Sequence, residues 1–306
     1  MLGVLEGFTI IGVVVAVGYV LARVEILPSN AGVVLNRFAF FVALPALMFG
    51  TLYRADLSII FSSRLPVAAI SFCVVALLYT VIFGVVLGRG IARTVLGATG
   101  SGMVNANNMG LPVATYIFGD PAQVAPILLF QLVFLTPVLL AVLDITSRGR
   151  FSLKDVATQP LRNPLVIGSL LGVVCNALNV PMLDIALEPL RLIGGAGIPL
   201  ILIAFGMSLR GNKPLTVVDQ RAETLTAVIF KVALMPLVAF LLGSLVFHLS
   251  RGDLTAATVL AGLPTAQNLF NYASRYQISV VLTRDIVLLS TCAAVPAMLL
   301  TSFLMQ

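Results

Sequence analysis

The sequence predicts an all-α membrane protein with ten transmembrane helices, from its composition, its apolar runs and the placement of its basic residues. Hydrophobic residues make up 59% of the 306 residues, charged residues make up 10%, and the mean hydropathy is +1.10. A water-soluble domain carries about 25% charged residues, so this chain could not cover its own surface in water. We therefore take the lipid bilayer as its solvent.

Ten apolar runs define the predicted spans, because a helix needs about 20 apolar residues to cross the hydrocarbon core. The runs lie near residues 7–22, 32–52, 65–88, 94–118, 122–145, 163–180, 186–209, 222–247, 254–274 and 283–304. An even number of spans places both termini on the same side of the membrane.

The basic residues predict the orientation of these spans. The odd-numbered connections hold 12 Lys and Arg residues, whereas the even-numbered connections hold 4. Positive residues accumulate on the cytoplasmic side, so both termini are predicted to face outward from a bacterial inner membrane. The basic residues are scattered singly, which argues against a nucleic-acid partner in spite of the net charge of +6.

Several landmarks recur along the chain at a nearly constant offset. The recurring pairs are Arg37 and Arg191, Pro45 and Pro199, and Gly110-Leu111-Pro112 and Gly262-Leu263-Pro264. Because five is an odd number, the second copy of a five-span unit enters the membrane with the opposite orientation to the first. Inverted repeats of this kind are typical of secondary transporters. The predicted organisation is a first repeat over 1–145, a cytoplasmic linker over 146–162 and an inverted second repeat over 163–306.

Span four contains the first cluster of residues that suggests a binding site. Asn105, Asn107 and Asn108 lie just before Gly110 and Pro112, and unpaired amides in hydrocarbon cost several kcal/mol each. Glycine tolerates irregular backbone, and proline lacks the N–H that continues a helix. The helix is therefore predicted to end near Asn107 and to restart at Pro112.

Span nine is predicted to break in the same way, ending near Gly262 and restarting at Pro264. The predicted site residues in this span are Pro264, Thr265, Gln267, Asn268 and Asn271. The inverted repeat makes the two spans antiparallel, so their breaks are predicted to cross near the membrane midplane. Two restarted helices then offer N–H groups and positive dipole ends to an anion. The alternative is that these polar residues only hold helices together.

Lys231 lies within span eight, about 13 Å from its start at 1.5 Å per residue. We expect it to face a cavity and to attract or balance the anion, because a lysine at this depth cannot easily reach the membrane surface. Arg37 and Arg191 lie nearer the ends of their spans, where the expectation is contact with water or lipid phosphate.

No cofactor, metal site or catalytic centre is predicted. The sequence has one histidine, three cysteines in separate apolar runs, and no Asp or Glu in the middle of a span. A buried carboxylate relay and a carboxylate-rich sodium cage are therefore not visible. An intramembrane protease would need a serine with a base, paired aspartates or an HExxH motif, so an enzyme is not expected.

The stretch Asn105-Ala-Asn-Asn-Met-Gly-Leu-Pro112, the ten spans and the second proline break resemble the auxin efflux carrier family. This family includes plant PIN-type carriers and bacterial malonate or malate permeases. The resemblance implies the fold of the bile-acid/sodium symporters, with a scaffold of spans one, two, six and seven and a transport domain of the other six. It also implies an elevator-like movement and a homodimer formed through the scaffold.

The resemblance further implies which residues line the substrate site, namely Asn107, Asn108, Pro112, Pro264, Gln267 and Asn268. The short linker is unlike the long cytoplasmic loop of many PIN carriers. The leading interpretation is a secondary carrier of a small carboxylate, similar to malonate, malate or an indole acid. Two alternatives stay open: a sodium- or proton-coupled symporter of a larger amphipathic anion, and a membrane receptor or sensor without flux.

Overall fold

The computed structural model describes residues 2–28, 30–55, 63–148, 158, 160–210 and 214–305. Most of the linker predicted at 146–162 lies outside these residues. Within them the chain is helical, with an isolated β-bridge and no sheet. The helices, in chain order, are α1 (Leu2–Val24), α2 (Ala31–Arg54), α3 (Arg64–Val86), α4 (Ile91–Gly102), α5 (Leu111–Ile117), α6 (Pro121–Thr146), α7 (Pro164–Ala177), α8 (Asp184–Ser208), α9 (Val218–Val246), α10 (Arg251–Ala261), α11 (Gln267–Tyr276) and α12 (Val280–Leu304).

Six of the described helices, α2, α3, α6, α8, α9 and α12, are long and apolar enough to cross a membrane by length and composition. Large hydrophobic side chains such as Phe41, Val85 and Ile185 point outward and are 60%, 75% and 82% exposed. Such a surface requires lipid as its solvent. The apolar runs predicted as spans four and nine are each divided into two helices, α4 with α5 and α10 with α11.

Four helical stretches contain a widened, π-helical turn that ends two residues before a proline. Proline has no N–H, and its ring clashes with the carbonyl four residues back, so the turn before it opens. One of these turns precedes Pro45 in α2. The turns are Ala39–Ala43, Ala106–Gly110, Gln131–Leu135 and Phe230–Leu234, and the prolines are Pro45, Pro112, Pro137 and Pro236.

Polar contacts at one end of the molecule join the odd-numbered connections to one another. Arg210, after α8, pairs with Glu25, after α1, at 2.7 Å. Tyr276, at the end of α11, donates a hydrogen bond to Asp144 near the end of α6 at 2.8 Å. Arg89 and Arg93, between the end of α3 and the first turn of α4, pair with Asp219 at the start of α9, and these ion pairs lie at this end too.

Contacts at the opposite end join the even-numbered connections. Arg64, at the start of α3, pairs with Asp253, at the start of α10, at 3.5 Å. It also donates to Gln123, at the start of α6. Asn176, near the end of α7, donates to the carbonyl of Ala55, after α2, at 2.8 Å. This separation of the connections is what a chain that crosses a bilayer repeatedly requires.

Two glycines allow helices to pack with their backbones in near contact. A Cβ on Gly18 of α1 would lie 2.2 Å from the carbonyl oxygen of Ile203 in α8. A Cβ on Gly172 of α7 would lie 2.7 Å from the carbonyl oxygen of Phe49 in α2. A shift of 154 residues, the offset of the arginine pair, converts Gly18 to Gly172 and Phe49 to Ile203. Small residues commonly permit this close approach of membrane helices.

The Gly18 contact yields a stability prediction with a control on the same helix. Gly18→Ala should lower the free energy of unfolding by about 2 kcal/mol, because the added methyl group must displace the backbone of α8. Gly12→Ala should not destabilise the protein, since a Cβ at Gly12 meets no atom within 4 Å. Unfolding in detergent micelles measures both, and equal effects would contradict the close packing of α1 and α8.

Glu223, near the start of α9, is a buried carboxylate at 1% exposure that holds the α3–α4 connection. Its Oε1 lies 3.2 Å from Arg89 Nε, and its Oε2 accepts from the Arg93 guanidinium. Asp219 binds the same two arginines at 2.9 Å each, but its side chain is 58% exposed. Glu223 is therefore the member of this cluster whose carboxylate is held away from water, and its loss removes the buried partner of both arginines.

Removal of each carboxylate should separate these two contributions. Glu223→Ala should lower the free energy of unfolding by about 2 kcal/mol, somewhat less than for a fully buried pair because the arginines stay partly hydrated. Asp219→Ala should change it little. Chemical unfolding in micelles measures both variants. A larger loss of unfolding free energy in Asp219→Ala than in Glu223→Ala would contradict the importance assigned to the buried carboxylate.

Candidate functional site

The first break lies earlier in the chain than the sequence predicts. Helix α4 ends at Gly102, and the chain returns to helical structure at Ala106 rather than at Pro112, in the π-helical turn Ala106–Gly110 that continues into α5 at Leu111. The reason is that Asn105 caps the restarted helix: its side-chain oxygen accepts from the backbone N–H of Asn108 at 3.1 Å. An asparagine in this position competes with continuation of the preceding helix.

The second break begins where predicted and ends later. Helix α10 ends at Ala261, next to the predicted end at Gly262, but α11 begins at Gln267, so the predicted restart at Pro264 is wrong. Pro264 stays outside the helix, where its carbonyl accepts from the N–H of Asn105 at 2.8 Å. The bounds of the second break therefore depend on its hydrogen bond to the first break as well as on its own proline.

The two breaks meet, as predicted, and are joined by their backbones. Val104 and Thr265 form an antiparallel β-bridge. The N–H of Ala266 donates to the carbonyl of Met103 at 3.1 Å, alongside the Asn105–Pro264 hydrogen bond. The side chain of Asn108 adds a hydrogen bond from Nδ2 to Oε1 of Gln267 at 3.3 Å. The position of this crossing at the midplane stays a prediction.

Several predicted site residues build the crossing and lie buried within it. The hydroxyl of Thr265 donates to the carbonyl of Gly100 at 2.6 Å, and the Thr265 N–H donates to Ser290 Oγ at 3.0 Å. A Cβ on Gly110 would lie 2.8 Å from Val124, so only glycine fits there without a shift. Pro112, like these residues, is buried. These positions shape the site.

A cavity of about 1050 Å³ lies between α1, α2, α8 and the start of α11. It is lined partly by the α1–α2 connection and by Arg210, which places it at the end of the molecule where the odd-numbered connections lie. Gln267 and Asn271 bring the second break to its wall. Its polar lining residues are Glu25, Asn36, Arg37, Ser208, Arg210, Gln267 and Asn271.

The two arginines that lie 154 residues apart, Arg37 and Arg191, have different surroundings. Arg37 lines the large cavity, although its position near a helix end suggested contact with lipid headgroups. Arg191 is 73% exposed and pairs with Glu188 one helical turn away at 3.2 Å. Arg37 is therefore the member of the pair that lines a cavity.

A second, small cavity of about 20 Å³ lies beside the first break, large enough for about one water molecule. Its polar lining residues are Asn105, Asn107, Gln131 and Asn268. Nδ2 of Asn105 and both polar atoms of Gln131 are buried and have no hydrogen-bond partner in the described part of the chain. Such groups cost about 1–3 kcal/mol each when left unpaired, so they favour a polar ligand or water at this place.

Sequence reasoning missed Gln131. Its signal was weak: a single amide in the apolar run of span five, six residues before Pro137. The widened turn that begins at Gln131 and the packing of α6 bring its side chain to the small cavity. Neither is visible from hydropathy.

Lys231 does not occupy the expected position facing a cavity. Its side chain is fully buried, and it lines neither of the two cavities described above. Its ammonium donates to the carbonyl of Ala261, the last residue of α10, at 2.5 Å. A carbonyl at the C-terminal end of a helix attracts a cation, which accounts for this placement.

The cap on the restarted helix gives a prediction with a matched control. Asn105→Ala should lower the free energy of unfolding by about 1 kcal/mol, the usual cost of losing an N-cap, and should raise amide exchange over 106–110. Asn163→Ala removes the N-cap of α7, where the side chain accepts from Leu165 N–H at 3.0 Å, and should leave exchange over 106–110 unchanged. Hydrogen exchange with mass spectrometry measures both, and unchanged exchange in Asn105→Ala would contradict the capping role.

Comparison with known proteins assigns the chain to a family. Residues 4–302 match the profile of a family described as membrane transport protein. An uncharacterized transporter from Methanothermobacter thermautotrophicus (strain ATCC 29096 / DSM 1053 / JCM 10044 / NBRC 100330 / Delta H) is 32% identical over 202 residues. That match covers 64% of this chain and 65% of the relative, just under two thirds of the relative's length. Because the family match covers nearly the whole chain, the protein is an integral membrane protein that belongs to the membrane transport protein family, the family of the auxin efflux carriers.

Proposed function

We propose that this protein is a secondary carrier that moves a small organic anion, similar to malonate, malate or an indole acid, across a membrane. The observation that carries the proposal is the crossing of two interrupted helices, with amide side chains around it and a large cavity that reaches it. Irregular backbone inside a membrane protein is tolerated where it is buried in protein or lines a cavity. Interrupted helices of this kind commonly hold transported solutes.

The charge of the site favours an anion. The helices that restart at Ala106 and Gln267 direct their N-terminal ends toward the crossing, and each end is equivalent to about half a positive charge. Arg37 adds a full positive charge at the wall of the large cavity, whereas Glu25 there is paired with Arg210. Amides of Asn107, Gln267 and Asn271 supply donors that can orient a carboxylate without binding it too tightly for release.

Alternating access by an elevator-type movement is the mechanism we infer. The large cavity lies at the end of the odd-numbered connections, which the positive-inside rule assigns to the cytoplasm, so this arrangement corresponds to a state open inward. The glycine contacts Gly18–Ile203 and Gly172–Phe49 support α1, α2, α7 and α8 as a rigid scaffold. The crossing would move against them with the remaining helices.

The exchange of these two glycine contacts by the 154-residue offset also supports an inverted repeat. The separation of odd and even connections supports ten spans, and the excess of basic residues in the odd-numbered connections supports both termini outward. A homodimer through the scaffold remains part of this proposal, with the exposed apolar faces of α2 and α8 as the surfaces for it. These features together fit a carrier better than a receptor, which has no need of a site reached from alternate sides.

Flux through proteoliposomes tests the function, and the two repeat-related arginines provide matched variants. The wild type should accumulate labelled malonate, malate or indole-3-acetate above protein-free liposomes. Arg37→Ala should raise the KM for uptake about tenfold, because a charge-assisted contact contributes about 1.4 kcal/mol or more. Arg191→Ala should leave uptake unchanged.

Two results would count against the proposal. Binding of a carboxylate by a folded preparation, without flux in liposomes, would favour the receptor or sensor. The coupled symporter would be favoured if uptake required a sodium or proton gradient and if a larger amphipathic anion were transported in preference to dicarboxylates.

A further inference from the structure

Lys231 is a buried cation whose partners are not carboxylates. It lies in the widened turn Phe230–Leu234 of α9 and is 0% exposed. Among the described residues, no Asp or Glu oxygen forms an ion pair with it, and its contacts are the Ala261 carbonyl and Met235 Sδ at 3.5 Å. A buried ammonium is costly unless something compensates its charge, so its position requires an explanation.

The end of α10 supplies that compensation. The carbonyls of the last turn all accept hydrogen bonds: Gly262 N–H donates to Thr258 and Val259 at 3.2 and 3.0 Å, and Leu263 N–H donates to Leu260 at 3.3 Å. The last carbonyl, that of Ala261, accepts from Lys231 at 2.5 Å. A helix C-terminus carries about half a negative charge, so the ammonium both completes the hydrogen bonding and balances this charge.

Among the described residues, no cation donates to the end of the helix at the first break. Its helix α4 ends with Thr99 accepting from the N–H of Met103 at 2.7 Å and Gly100 accepting from the hydroxyl of Thr265 at 2.6 Å, both neutral donors. The repeat offsets of 152 and 154 place the counterpart of Lys231 at residues 77–79, which are Leu77, Leu78 and Tyr79. The positive charge is thus specific to the second break.

The position of Ala261 connects Lys231 to the site. Residues 262–266 lead directly from Ala261 through the β-bridge at Thr265 to Gln267, whose side chain lines the large cavity. A shift of Ala261 would therefore move the β-bridge at Thr265 and the start of α11. In transporters with interrupted helices, such C-terminal ends can instead bind a soluble cation.

We propose that Lys231 is a built-in counter-ion of the second break, a positioning residue that takes the place of a bound monovalent cation at the end of α10. It fixes the start of α11 and contributes positive charge behind the anion site without touching the substrate. The effect of Lys231 on transport rests on the proposed function, whereas its stabilisation of the end of α10 does not.

Chemical rescue tests the structural part in purified protein. Lys231→Ala leaves a space beside the Ala261 carbonyl, whereas Lys231→Met fills that space without a charge. In choline chloride both variants should unfold at a lower temperature than the wild type. Ethylammonium chloride should restore the melting temperature of Lys231→Ala by several degrees, because the ion fits the space and carries the missing charge, and it should not affect Lys231→Met or the wild type. A folded Lys231→Ala without recovery specific to ethylammonium would overturn the proposal.

Uptake into proteoliposomes tests the positioning role. Lys231→Met should raise the KM for the transported carboxylate about tenfold or more, Lys231→Arg should stay within about threefold of the wild type, and ethylammonium should lower the raised KM of Lys231→Ala. If Lys231→Ala does not fold, the comparison of Lys231→Met with Lys231→Arg decides: a wild-type KM in Lys231→Met would overturn the proposal. A wild type without flux of any carboxylate would refute the proposed function instead, while the melting temperatures still decide the role of Lys231.

Discussion

The pairing of two broken helices is the constraint on which the remaining structure depends. Each break exposes backbone N–H and carbonyl groups, and the interior of a membrane protein offers little water to satisfy them. The two hydrogen bonds that flank the Val104–Thr265 bridge give each break its partner in the other. Neither break would be stable alone, so the helices that carry them must be held at a fixed angle by everything packed around them.

Around this pairing, polar groups are divided between those that hold the backbone and those that face open space. Thr265 and Ser290 form hydrogen bonds within the crossing. Gln267 and Asn271, in contrast, line the large cavity. Full charges are kept one step away, with Arg37 on the cavity wall and Lys231 behind α10. In the carrier that we propose, this site would attract an anion through helix dipoles and through Arg37, with no full charge in the crossing itself, which suits a solute that must also leave.

The sequence predicted the helical class, the membrane environment and the meeting of two breaks, because these follow from composition and from clusters of Asn, Gly and Pro. It misplaced the restart at Pro112 because local rules for proline could not reveal that Asn105 caps the helix earlier. It misplaced Pro264 because the hydrogen bond that holds it comes from residue 105, far away in sequence. It missed Gln131 and the buried setting of Lys231 because both depend on how one helix is rotated against its neighbours.

The widened turns before Pro45, Pro137 and Pro236 have a consequence for reading such sequences. A π-helical turn accommodates one residue more than an α-helical turn, so the faces of the helix before and after it are out of phase by about 100°. A helical-wheel projection with 3.6 residues per turn therefore assigns lipid-facing and interior positions correctly on only one side of each turn. For α9, alignments of relatives should place single-residue gaps near 230–234, and inward-facing positions should be counted separately on the two sides.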